Sequence, residues 1–66
     1  MINTDKLRGL LAEKHVSQGE MADRIGIARK TFYEKMKRGV FGSDEIQIMI
    51  DTLDISDPMS IFFTRE

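Results

Sequence analysis

Between positions 29 and 38 the chain reads Arg-Lys-Thr-Phe-Tyr-Glu-Lys-Met-Lys-Arg, a run in which Arg29, Lys30, Lys35, Lys37 and Arg38 surround the carboxylate of Glu34. Ammonium and guanidinium groups bind phosphate oxygens, and an Arg fork matches the O6 and N7 acceptors of guanine. Phe32 and Met36 stand four residues apart in the same run. If it is helical they share one face, and Arg29, Lys30, Tyr33, Glu34 and Lys37 are carried outward. The chemistry on offer is recognition of a polyanion. Catalysis and metal binding are not expected: there is no cysteine, His15 is the single histidine, and the acids are scattered along helix surfaces, so no nucleophile–base set and no zinc or haem site is legible. The expectation is a non-enzyme without cofactor, metal or small-molecule ligand.

A formal net charge of −1 argues at first against a nucleic-acid partner. Its distribution argues for one. Residues 1–13 balance Lys6 and Arg8 against Asp5 and Glu13, while residues 14–38 hold seven cations against Glu20, Asp23 and Glu34. Residues 39–66 hold Arg65 against Asp44, Glu45, Asp51, Asp54, Asp57 and Glu66. A basic middle joined to an acidic end is a dipole, and only the middle needs to meet phosphates. No apolar run approaches the ~20 residues of a membrane-spanning helix. A soluble cytoplasmic protein of one domain, residues 1–66, is expected, marginally stable at this size unless its helices pack well or it self-associates.

The cationic run needs neighbours to hold it. Asn3 or Thr4 is placed to cap a helix over 5–14, where Leu7, Leu10 and Leu11 make one apolar stripe before His15-Val16 breaks the pattern. Ser17-Gln18-Gly19-Glu20 is a capping box and opens a helix over 18–25, with Met21, Ala22 and Ile25 inward. Gly26 closes that helix, and the cationic run forms the next, 29–38, closed by Gly39. Ser43 is placed to cap a fourth helix over 44–54. There Asp44 and Glu45 lie at the positive end, and Ile46, Met49, Ile50 and Leu53 form a face. Asp57-Pro58 reads as a cap and first residue of a last helix, 58–63, bearing Met59, Phe62 and Phe63. Five helices and no strand make an all-α chain.

The spacing of Gln18, Ala22, Gly26, Ile27 and Phe32 has a mechanical meaning. Two helices that cross steeply over a three-residue connection need a small residue at their contact, and Ala22 is one. Their turn needs a residue tolerant of positive φ, which is Gly26. Ile27 and Phe32 then plug the gap beneath. Such a unit is a helix-turn-helix, whose second helix stands proud enough to enter a groove.

The stretch Gln18-Gly19-Glu20-Met21-Ala22-Asp23-Arg24-Ile25-Gly26-Ile27-Ala28-Arg29-Lys30-Thr31-Phe32-Tyr33 resembles the helix-turn-helix of Cro/CI-type phage repressors, the xenobiotic-response-element-like family. Phe41 through Ile46 and Ile61-Phe62-Phe63 resemble a subgroup from prophages of Gram-positive bacteria. The likeness spans roughly residues 5–63 and implies a five-helix lambda-repressor-like DNA-binding domain. Two positions depart from the family pattern. Ala28 stands where Ser or Thr is usual, leaving the start of the recognition helix to packing. Met36-Lys37-Arg38-Gly39 lacks the usual acidic residue before the closing glycine.

The resemblance implies a regulator, Cro-like or repressor-like, that reads the major groove with residues 29–38. Gln18 and Ser17, at the start of the second helix, and Lys14, Thr31, Lys35, Lys37 and Arg38 are the expected phosphate contacts. Arg29, Lys30, Tyr33 and Glu34 are the expected base contacts, Arg29 to guanine, Tyr33 to a thymine methyl or a phosphate, and Glu34 to a cytosine amino group unless it pairs with Lys30 or Arg38. One recognition helix reads few base pairs, so such proteins pair on half-sites about 34 Å apart. Ile55, Met59, Phe62 and Phe63 are too many apolar groups for an exposed tail: they either fold back on the small core or form the candidate interface of a homodimer, which need form only on DNA. The competing reading is a protein-interaction module on the same scaffold, an antirepressor or antitoxin-like partner.

Overall fold

The computed structural model describes residues 2–63. Among them the chain forms five helices and no strand: α1 (Thr4–Glu13), α2 (Gln18–Ile25), α3 (Arg29–Arg38), α4 (Ser43–Leu53) and α5 (Met59–Phe62). The all-α expectation holds, and α2 and α3 have the expected bounds.

Local chemistry explains where α1 and α2 begin and where α2 and α3 end. Asn3 caps α1, its side-chain oxygen accepting from the Lys6 amide at 3.1 Å, so Thr4 lies inside the helix. At α2 the capping box is complete: Ser17 Oγ accepts from the Glu20 amide at 3.0 Å and Glu20 Oε1 from the Ser17 amide at 3.2 Å. Gly26 ends α2 at φ 89° and Gly39 ends α3 at φ 70°, a left-handed turn that glycine adopts without steric cost. The start of α3 has no such device. Ala28 takes an extended cap conformation but offers no side-chain acceptor.

The first helix and the last two differ from the expected 5–14, 44–54 and 58–63 by one residue at each end. Gly42, not Ser43, occupies the cap of α4. Glycine has no side chain to bond the helix amides, but Glu45 Oε1 accepts from the Gly42 amide at 2.7 Å, which is the reciprocal half of a capping box. Pro58, not Asp57, stands at the cap of α5. Its carbonyl accepts from the Ile61 and Phe62 amides at 3.1 and 2.8 Å, and this single turn ends at Phe62.

A contiguous core joins Leu7 and Leu11 of α1, Met21 and Ala22 of α2, Phe32 and Met36 of α3, Met49 and Leu53 of α4, and Ile61 and Phe62 of α5. Ile25, Ile27, Ile46, Ile50 and Ile55 pack against it, half-buried. Phe41, from the loop between α3 and α4, meets Phe32 with ring centroids 5.2 Å apart at 55°, a tilted aromatic contact worth about 0.5–1.5 kcal/mol beyond its buried area. α2 packs on both α3 and α4, and α1 packs on α5. Ile2 is also buried. Its amide bonds the Gly39 carbonyl and the Asn3 amide bonds that of Ile61, tying the N-terminal segment to the end of α3 and to α5.

Candidate nucleic-acid interface

The orientation of α3 follows from its two buried residues. Phe32 and Met36 point into the core, and at 100° per residue the opposite side of the helix carries Lys30, Glu34, Lys37 and Arg38, all exposed. Thr31, Glu34, Lys35, Lys37 and Arg38 line a shallow depression along this helix. Lys35, Lys37 and Arg38 fall in the last turn, where cations are favoured by the negative end of the helix dipole. Tyr33 is half exposed.

Arg29 and Lys35 lie at the two margins of the buried stripe, and each is paired with a carboxylate of a neighbouring helix. Arg29 Nη2 donates to Asp23 Oδ2 of α2 at 3.0 Å. That hydrogen bond, and then the charge of Asp23, raise the pKa of Arg29 above its ordinary value. Lys35 Nζ donates to both carboxylate oxygens of Glu45 in α4, at 2.7 and 2.6 Å, and only a quarter of its side chain is exposed.

The expected phosphate contacts are therefore not one set. Lys37, Arg38 and Thr31 share the α3 depression. Lys35 also borders it, with its ammonium paired to Glu45. Lys14 lies in a different groove, with Lys6, Glu13, Asp54 and Asp57, between α1 and the segment leading into α5. Ser17 Oγ accepts from the Glu20 amide at the cap of α2, leaving its hydroxyl proton to donate, and Gln18 is half-buried in the first turn of that helix.

The candidate interface residues divide as well. Phe62 is buried to 3 % exposure and Ile55 packs half-buried against the core, so Phe62 is a core residue and not an exposed anchor. Met59 and Phe63, four residues apart, are 64 % and 54 % exposed. The docking of α5 on α1 turns Ile61 and Phe62 inward and leaves the other side of this one turn to solvent.

Sequence reasoning missed the pairing of Asp23 with Arg29 and the burial of Ile2, and it assigned Glu45 only a place at a helix end. The Gly42-x-x-Glu45 spacing carried a usable signal for the cap. Asp23 carried none, since its partner lies six residues on, across a turn. No protein-family model matches the chain, and no curated protein or solved structure resembles it significantly.

Proposed function

We propose that the chain is a sequence-specific double-stranded-DNA-binding transcriptional regulator, in which α2, the turn at Gly26 and α3 act as a helix-turn-helix of the lambda-repressor-like kind. The observation that carries this reading is the exposed side of α3, where Lys30, Glu34, Lys37 and Arg38 stand above the buried Phe32 and Met36. A helix anchored on one side and charged on the other, next to a capped helix N-terminus at Ser17, is the arrangement with which such units enter a major groove and grip the flanking phosphates. Arg29, Lys30, Tyr33 and Glu34 are the proposed base readers, and Ser17, Gln18, Thr31, Lys37 and Arg38 the proposed phosphate contacts. The partner is an operator duplex, read by two copies of the chain in a bacterial cytoplasm in the manner of a prophage repressor.

A second reading is favoured by the exposure of Met59 and Phe63, which suits a protein-interaction module. Fluorescence-anisotropy titration with random duplex DNA at two salt concentrations, beside a shift assay on DNA flanking the chain's own gene, separates the two. A regulator binds one flanking site tightly and loses affinity steeply as salt rises. Absence of binding to either DNA at low salt sinks the regulator reading and leaves the interaction module.

A further inference from the structure

We propose that Asp23 and Gly19 are positioning residues for base recognition, holding the guanidinium of Arg29 in one orientation at the open end of α3. This rests on the DNA-binding reading above. Gly19 and Asp23 lie one turn apart on α2 and so share a face. Arg29 reaches back across the Gly26 turn and lies on that face: Nη2 donates to Asp23 Oδ2 at 3.0 Å. A Cβ built on Gly19 would stand 2.9 Å from Arg29 Cζ, 3.0 Å from Nε and 3.1 Å from Nη1. The nearest atoms a side chain at position 19 would meet all belong to Arg29. The space left by this glycine is therefore space for the guanidinium.

The pair is not buried. The Arg29 side chain remains 61 % exposed and Asp23 62 %. A guanidinium carries five N–H donors in a planar fork, and Asp23 engages one of its nitrogens, leaving donors for the two acceptors on a guanine edge. A fork already fixed against α2 loses less rotamer freedom when it binds. Charge gives the idea a sharp sign. An exposed carboxylate beside a phosphate-binding surface repels DNA, so removing an idle Asp23 would tighten binding to every duplex alike. Removing a positioning Asp23 costs discrimination at one base pair even as that repulsion is relieved.

The test is selection from a random duplex pool with wild type, Arg29→Ala, Asp23→Asn and Gly19→Ala, each checked by circular-dichroism melting. Wild type is expected to enrich a motif with a guanine at one position. Arg29→Ala, Asp23→Asn and Gly19→Ala should each lose about tenfold of the preference at that same position. Asp23→Asn should keep or gain affinity for random DNA, and Gly19→Ala should melt no lower than wild type, since alanine is the better helix former. An Asp23→Asn protein that retains the guanine preference and only binds all duplexes more tightly overturns the proposal alone, as does a guanine preference that survives Arg29→Ala. A wild type that enriches no motif overturns the sequence-specific reading with it.

Discussion

Lys35 Nζ sits between the two carboxylate oxygens of Glu45, 2.7 and 2.6 Å away, and Glu45 Oε1 at the same time accepts from the Gly42 amide. One carboxylate thus fastens the last turns of α3 to the first turn of α4 and caps α4 as well. Glu45 is the one buried charged residue among those described, at 7 % exposure, and its partners satisfy it. Truncating either residue leaves the other charge with little solvent. Glu45→Ala should cost about 2–3 kcal/mol and Lys35→Ala about 1–2 kcal/mol, because only the first also strips the cap. Urea titrations of the two variants check the order, and a smaller loss for Glu45→Ala would contradict it.

The cations of α3 should differ in their effect on DNA affinity although they are chemically alike. Lys37 and Arg38 are exposed, whereas the Lys35 ammonium is engaged by Glu45. Lys37→Ala and Arg38→Ala are each expected to reduce the slope of log affinity against log salt by about 1. Lys35→Met, which keeps the apolar stem, should leave that slope unchanged while lowering the melting temperature. Anisotropy titrations over a salt series read both quantities on the same samples. Equal slope changes at all three positions would return Lys35 to the phosphate contacts.

The missing cap at α3 is open to repair. Ala28 already has the extended conformation of a cap residue, φ −65° and ψ 146°. A serine there can accept from an amide of the first turn, so Ala28→Ser should stabilise the protein by about 1 kcal/mol. For a domain of this size that raises the melting temperature by about 4–8 °C. A melting curve unchanged by the substitution would mean that those amides are already satisfied.

Neighbouring phenylalanines at the end of α5 should behave oppositely. Phe62 is in the core and Phe63 is 54 % exposed. Phe62→Ala should remove about 3–5 kcal/mol, enough to unfold much of a domain this small at room temperature. Phe63→Ala should change stability by no more than about 0.5 kcal/mol. Sedimentation of wild type and Phe63→Ala, with and without operator DNA, then shows whether the exposed ring serves self-association. A dimer on DNA that persists in both Phe63→Ala and Met59→Ala removes this side of α5 from the interface.

The amino-acid sequence by itself determined the helices and their ends wherever the controlling signal is local. The Ser17–Glu20 box, the left-handed glycines at 26 and 39 and the Phe32–Met36 spacing act within about one helical turn; α2 begins, and α2 and α3 end, where those residues require. The single-residue differences at the starts of α1, α4 and α5 arise where two adjacent residues could each serve as cap. What only the tertiary structure decided is which charged and aromatic side chains remain available. Lys35 and Lys37 are the same residue type two positions apart, yet a carboxylate ten residues downstream engages one and not the other. Asp23 takes hold of Arg29 across the turn, and the core takes in Phe62 but not Phe63. Helix formation responds to near neighbours along the chain, whereas pairing and burial depend on which helix faces which, a relation that exists only after the core has closed.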